Sequence, residues 1–242
     1  MFPLRSGYTD EIAALLKEAK GRNKDTVALV HMNIDFGPSL STQAHLIAGE
    51  NGVQIVTHQI LNAAPNQLEA SVKAAVSQIT KNEPKAVLIL AAGQPAFEFI
   101  RSMRAAAGDK IQLYGLSVLL HDVLVKEVGL EAARGIVLSQ AVPYPFTPTQ
   151  PVINEFQADM KQYAPGEAIS FSSFEGYLGA KIAVEAVRRA GSQPTRASLL
   201  QALTELGEYN LGGVYVNYTP SQRKGWGGVN LSIINASGAL RK

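Results

Sequence analysis

The 242-residue chain has no cysteine, one tryptophan and four histidines. Without thiols there is no disulfide, no thiolate metal centre and no cysteine nucleophile, although exported proteins can lack cysteine too, so the compartment stays open. An excess of one charge is also missing: 22 Lys and Arg face 20 Asp and Glu, scattered along the chain, for a net of +2. With no basic stripe, nucleic acid is not an expected partner. No apolar run reaches the roughly 18 residues needed to enter and span a bilayer, so no membrane insertion is expected. The start, Met1-Phe-Pro-Leu-Arg-Ser-Gly-Tyr, lacks the charged and apolar regions of a signal peptide. Phosphate-loop, dinucleotide, zinc-protease and serine-elbow signatures are absent as well. His31, His45, His58 and His121 read as isolated strand-edge or surface residues. His121-Asp122 follows Ser117 too closely, within one helical turn, to align a base with a nucleophile. No catalysis, metal or cofactor is expected.

The composition is that of a globular protein, 46% hydrophobic and 17% charged. Thr26-Val-Ala-Leu-Val-His-Met is apolar on both faces, as in a strand covered by helices on each side, and stops at the polar turn Asn33-Ile-Asp-Phe-Gly. Lys85-Ala-Val-Leu-Ile-Leu-Ala-Ala-Gly-Gln-Pro repeats the design. Periodicity predicts a helix capped by Thr9, then strands near 26–32, 53–60, 86–92, 111–117 and 135–142, separated by helices near 39–51, 67–82, 95–107 and 118–128. Strict alternation implies right-handed crossovers, hence an α/β fold with a mainly parallel open sheet and helices on both faces.

Pro143, Pro145, Pro148 and Pro151 exclude regular structure and mark a boundary. Helices follow at 152–163, 171–190 and from Thr195 to about 206, then extended chain at 211–218 and a strand at 228–235. Trp226 lies among glycines and reads as a junction plug. An α/β chain opening on a helix, with later helices lacking a sheet of their own to cover, is expected to be missing structure at its front.

Several segments together are similar to the type I periplasmic binding proteins. They are Tyr8-Thr-Asp-Glu, Asn33-Ile-Asp-Phe-Gly, Glu83-Pro-Lys-Ala-Val-Leu-Ile-Leu, Ile100-Arg-Ser-Met-Arg, Leu113-Tyr-Gly-Leu-Ser, Gly135-Ile-Val, Val142-Pro-Tyr-Pro and Phe174-Glu-Gly-Tyr. Within that family the chain most resembles substrate-binding proteins of branched-chain amino acid ABC transporters. The resemblance implies a periplasmic, two-lobed protein that closes by hinge motion on a small solute and serves a membrane permease. It also implies that 1–143 and 226–242 form the second lobe, and that 144–225 are helices of an incomplete first lobe. A ligand-sensing regulatory domain, or a truncated remnant that self-associates as a homo-oligomer through exposed first-lobe helices, are the alternatives.

Ligands of open α/β sheets sit outside the carboxyl ends of the strands. Candidates are therefore Asn33, Asp35, Phe36 and Gly37, then Gly93, Gln94 and Pro95, then Ser117 and Val118, and Tyr144. The resemblance adds that Phe36 packs on the solute, unless it only plugs the loop, and that Gly93 and Gln94 turn polar groups toward it. Amino acid binders of the family tend to carry an acid where this chain has Ser117. A carboxylate or amide is then at least as compatible a solute as an amino acid. Tyr177 either faces the solute from the first lobe or belongs to the core of its helix.

Overall fold

The computed structural model describes residues 1–241, Lys224 by its backbone alone. Lys242, the end of the expected 226–242 segment, lies outside the described residues. The chain divides into two compact units, a sheet unit of Tyr8–Ser139 with Leu231–Lys242 and a helical unit of Met1–Gly7 with Gln140–Asn230.

In the sheet unit, α1 (Tyr8–Gly21) leads into β1 (Thr26–Met32), followed by α2 (Phe36–Glu50), β2 (Gln54–Leu61), α3 (Pro65–Asn82), β3 (Ala86–Leu90), α4 (Gly93–Ala107) and β4 (Gln112–Gly115). Two short helices, α5 (His121–Val128) and α6 (Leu130–Ala133), precede β5 (Val137–Gln140). A turn at 117–120 replaces the first part of the single helix expected at 118–128, and α6 carries the helical stretch beyond its end. Leu119 N–H bonds to the Leu116 carbonyl at 2.9 Å, and Gly129 closes α5 with φ +82°.

The strand order is β10-β9-β5-β4-β3-β1-β2, where β9 (Asn230–Ile234) and β10 (Leu240–Arg241) form an antiparallel pair at one edge. Strands β1 to β5 are parallel. The expected mainly parallel open sheet is therefore what the chain builds. From β1 the chain steps outward to β2, then returns across β1 to β3 and continues the opposite way. With right-handed crossovers, that reversal puts α2 on one face and α3 and α4 on the other.

Packing agrees with this topology. Ile12, Leu15, Leu16 and Ala19 of α1 and Leu40, Ala44 and Ile47 of α2 share a core with Val27, Leu29, Leu88, Leu90, Tyr114 and Leu116. The alternate strand residues Ala28, Val30, Val87 and Ile89 are equally buried and point to the opposite face, where α3 packs against α4 and α4 against α5 and α6.

The helical unit holds α7 (Pro151–Tyr163), α8 (Phe171–Ala190) and α9 (Arg196–Thr204), then β6 (Gly207–Asn210), β7 (Tyr215–Tyr218) and β8 (Arg223–Lys224) in an antiparallel sheet. Ser170 and Thr195 cap α8 and α9 through reciprocal bonds with Ser173 and Ser198. The stretch 211–218 is a turn and a strand rather than one extended run. Gly212 and Gly213 have φ +107° and +96°, and both donate to Asn210 Oδ1. The core is rich in aromatics: Phe156, Phe174 and Tyr218 are buried, with Phe2 and Trp226 packed against them. Met1–Gly7 belongs here, because Tyr218 Oη donates to the Pro3 carbonyl at 2.9 Å and Trp226 N–H to the Leu4 carbonyl at 2.8 Å. Gly225 and Gly228 are required by this closeness: a Cβ would lie 2.3 Å from the Leu4 oxygen or 2.4 Å from the Trp226 ring.

Candidate ligand-binding site

Where chain direction reverses between β1 and β3, the loops leaving the two strands separate to opposite faces of the sheet, the kind of position at which open α/β sheets hold their ligands. In register, His31 lies opposite Leu90, Ile89 opposite Gly115, and Gly115 opposite Leu138. The segments following β1, β3 and β4 therefore line one edge of the sheet. That edge carries the candidates of the sheet unit.

At the β1 tip, Asn33 ties two strand ends together. Its N–H bonds to the Leu61 carbonyl at 3.0 Å, its Nδ2 donates to Asn62 Oδ1 at 3.0 Å, and its Oδ1 accepts from Ala63 N–H at 2.8 Å. Asp35 is exposed, stands at the start of α2 in helical conformation and makes no side-chain cap bond. Gly37 is buried because nothing larger fits: a Cβ would lie 2.1 Å from the Met32 oxygen and 2.7 Å from His31 Nδ1. The helix can thus sit directly on the strand end. Phe36 is 42% exposed, its ring stacked at 6.4 Å and 29° on Tyr8.

At the β3 tip, Gly93 turns the chain with φ +62° and opens α4. This leaves the first amide groups of that helix at the sheet edge. Gln94 is exposed and donates to Glu98 Oε1 at 2.7 Å, which holds it along the helix, while Pro95 is half-buried in the first turn.

The β4 tip holds the residue that sequence reading missed. Glu11 of α1 is fully buried. Its Oε2 accepts from Ser117 N–H at 2.8 Å and from Ser139 Oγ at 2.6 Å, and its Oε1 accepts from Ser117 Oγ at 3.0 Å. A carboxylate taken from water must recover its hydrogen bonds, and these donors, with the N-terminal turn of α1, supply them. The sequence signal was present. Glu11, Leu15 and Ala19 recur at four-residue spacing on the apolar stripe of α1, where an acid is out of place unless it is partnered. Val118, next to Ser117, packs against the core on the α1 side of the sheet.

Beneath the β1 tip, three histidines are neighbours rather than isolated. The rings of His31 and His58 are 4.9 Å apart and those of His45 and His58 5.5 Å, with Ser41 Oγ 3.2 Å from His58 Nε2. Adjacent strands and α2 bring them together across sequence gaps that hide the cluster. His31 is buried, and the His58 imidazole is held below its ordinary pKa, first by burial and then by the other two rings.

Tyr144 and Tyr177 belong to the helical unit. Tyr144 forms a trio of edge-on rings with Phe146 and Phe171, at 5.0 and 6.0 Å. Tyr177 packs on Phe156 at 5.3 Å and donates its hydroxyl to Asp159 Oδ2 at 2.7 Å. Burial, followed by Asp159 and Glu155, pushes its phenol well above the usual range. Among the described residues no group of His, Cys, Asp and Glu could hold a metal ion, and no helix is long and apolar enough to cross a membrane.

Solved structures superpose on the whole chain. An extracellular ligand-binding receptor from Verminephrobacter eiseniae matches 100% of the chain and 67% of its own length, at 26% identity and a TM-score of 0.87. A substrate-binding periplasmic protein from Ralstonia solanacearum matches 99% and 67%, at 28% identity and 0.86. A branched-chain amino acid ABC transporter protein from Thermus thermophilus, solved with bound valine, shares the fold at 22% identity and 0.80, with 99% of this chain and 65% of that one covered. The chain thus spans about two-thirds of the length of these proteins. No curated protein matches it significantly. The periplasmic binding protein family profile matches residues 1–237, and the chain belongs to that family.

Proposed function

We propose that the protein is the solute-binding component of an ABC-type importer, a binding protein rather than an enzyme. It takes a small polar or amphipathic molecule (an amino acid, carboxylate or amide) in the periplasm and passes it to a membrane permease. In this reading the sheet unit is the family's second lobe and the helices within 144–225 belong to the first. Closure over the bound solute is part of the proposal. The supporting observation is the topological switch between β1 and β3, whose tips carry Asn33, Phe36, Gly37 and Gly93, next to the buried Glu11–Ser117 contact at β4. Phe36, exposed and stacked on Tyr8, offers an aromatic surface for the apolar part of the solute.

A thermal-shift screen of branched-chain amino acids, aromatic acids and amides tests this. A solute present at a few-fold excess over its dissociation constant should stabilise the chain by about 1 kcal/mol, a rise of about 2–4 °C. Substituting Phe36 by Ala should abolish the response without lowering the ligand-free midpoint by more than about 1 °C, because the ring lies outside the core. A screen in which no solute shifts the midpoint would overturn the proposal.

A further inference from the structure

The two edges of the large sheet are built differently. One ends on β10, two residues long and carrying Arg241, and short, charged strands keep foreign chains off an edge. The other ends on β2, eight residues long, which among the described residues pairs with β1 alone. Lysine and proline, the usual guards of an exposed edge, are absent from it. Between Phe36 and Leu68, a span that includes all of α2 and β2, Glu50 is the single charged side chain, although 17% of the whole chain is charged.

We infer that this bare edge is a self-association surface, on which β2 of a second copy pairs antiparallel about a two-fold axis at Gln59 and joins the two sheets into one. The register follows from which backbone groups face outward. A bulge opposite Val27 and Ala28 confines the regular ladder to Thr57–Leu61. The Leu61 carbonyl accepts from Asn33 N–H, so the Leu61 backbone faces β1. Each residue's N–H and C=O point to one side of a strand and the sides alternate, so Thr57 and Gln59 face inward too, while His58 and Ile60 present theirs to the outside.

An isologous pair centred on Gln59 uses that whole run. His58 exchanges both backbone hydrogen bonds with Ile60 of the second copy, and Gln59 meets its own counterpart. Each imidazole then lies across from an isoleucine, a favourable pairing of a ring with a β-branched side chain. Ile60, 52% exposed in the single chain, gains cover. His58, held below its ordinary pKa chiefly by burial, brings no charge at neutral pH. A second copy fits this edge because two uncharged strands of equal length meet with no like charges opposed.

With so short a ladder the dimer is weak and reversible. Sedimentation of the 242-residue chain from about 2 to about 200 µM should show the mass rising from 25.9 kDa toward twice that value. Ile60→Lys places an ammonium on the edge and should weaken association at least about tenfold. Because that side chain is exposed in the single chain, the melting midpoint of the dilute variant should match that of its parent. Gln59→Cys reads the register directly. Opposed residues of a non-hydrogen-bonded antiparallel pair lie about 4.5 Å apart at Cα, within disulfide reach, and the chain has no cysteine of its own. Mild oxidation should convert this variant to a covalent dimer and leave Gln78→Cys, on the exposed side of α3, monomeric.

A mass that stays at 25.9 kDa at every concentration overturns the inference. So does a dimer that Ile60→Lys leaves intact, which would point to the exposed helices of the other unit, and so does equal cross-linking of the two cysteine variants. If Ile60→Lys lowers the dilute midpoint, the cysteine pair decides alone. Solute binding takes no part in these measurements, so the proposed function stands or falls separately.

Discussion

Among the described residues each unit buries one glutamate, and the two are satisfied in opposite ways. Glu185 of the helical unit, 8% exposed, is answered by Arg188 and Arg189 on its own helix, at 2.9 and 2.8 Å. Glu11 of the sheet unit accepts from residues 106 and 128 positions away, at the ends of two strands. The first arrangement is local, charged and mostly at the surface. The second joins three distant pieces of chain at the edge where the solute is proposed to bind. A helix can satisfy an acid with its next turn anywhere, whereas a buried carboxylate fed by strand ends exists only once the sheet is assembled.

Removing each acid should separate them most clearly. Glu11→Ala leaves the Ser117 amide and the Ser139 hydroxyl facing a void, and unmade buried hydrogen bonds cost about 1–3 kcal/mol each, so a loss of about 3 kcal/mol is expected. Glu185→Ala frees two arginines that already reach solvent, with side-chain exposures of 73% and 37%, and should cost under about 1 kcal/mol. Urea denaturation measures both. Equal losses would break the comparison.

Glycines extend it. Gly37→Ala pushes a methyl to within 2.1 Å of the Met32 carbonyl, a backbone atom that cannot yield, and should cost about 2–3 kcal/mol. Gly176, in α8, has nothing within 4 Å, so alanine there should stabilise by about 0.5–1 kcal/mol. A Gly37→Ala protein that melts like its parent would mean that α2 does not rest on the β1 end.

The smallest effect concerns pH. His58 is held below its ordinary value, chiefly by burial, so the folded state binds its proton later than the unfolded chain does. Stability is then full above the unfolded value of about 6.5 and is lost as pH falls through the depressed folded value. Glu155 in the helical unit is also held low, mainly by the Lys181 hydrogen bond. Its contribution is present above the usual carboxylate range and is lost only in acid, below that range. Residue-resolved hydrogen exchange from pH 7.5 to 4 should therefore show the sheet unit loosening first. His58→Asn should flatten its slope near neutrality and leave the acid limb unchanged.

Much of this was legible in one sequence. Runs such as Ala86–Leu90, buried at every position, carry no polar face, and this shows that helices must cover both sides. Gly93 and Gly129 at the turns and Thr195 ahead of α9 marked element ends for local steric and capping reasons. The 212–213 turn was read as part of an extended run because two glycines in an apolar stretch are compatible with either. The clustering of His31, His45 and His58 was invisible, since strand order and register set it.

What the sequence determined alone is the alternation of strands and helices, the polar character of the strand tips and the proline-marked change near 143–151. These follow from steric and periodic rules acting within a few residues. Which tips become neighbours, that Gly37 must meet the Met32 carbonyl, and that Glu11 takes both donors of Ser117 were decided by tertiary structure. Those contacts depend on the strand order that folds β1 between β2 and β3, and no local rule encodes a partner more than a hundred residues away.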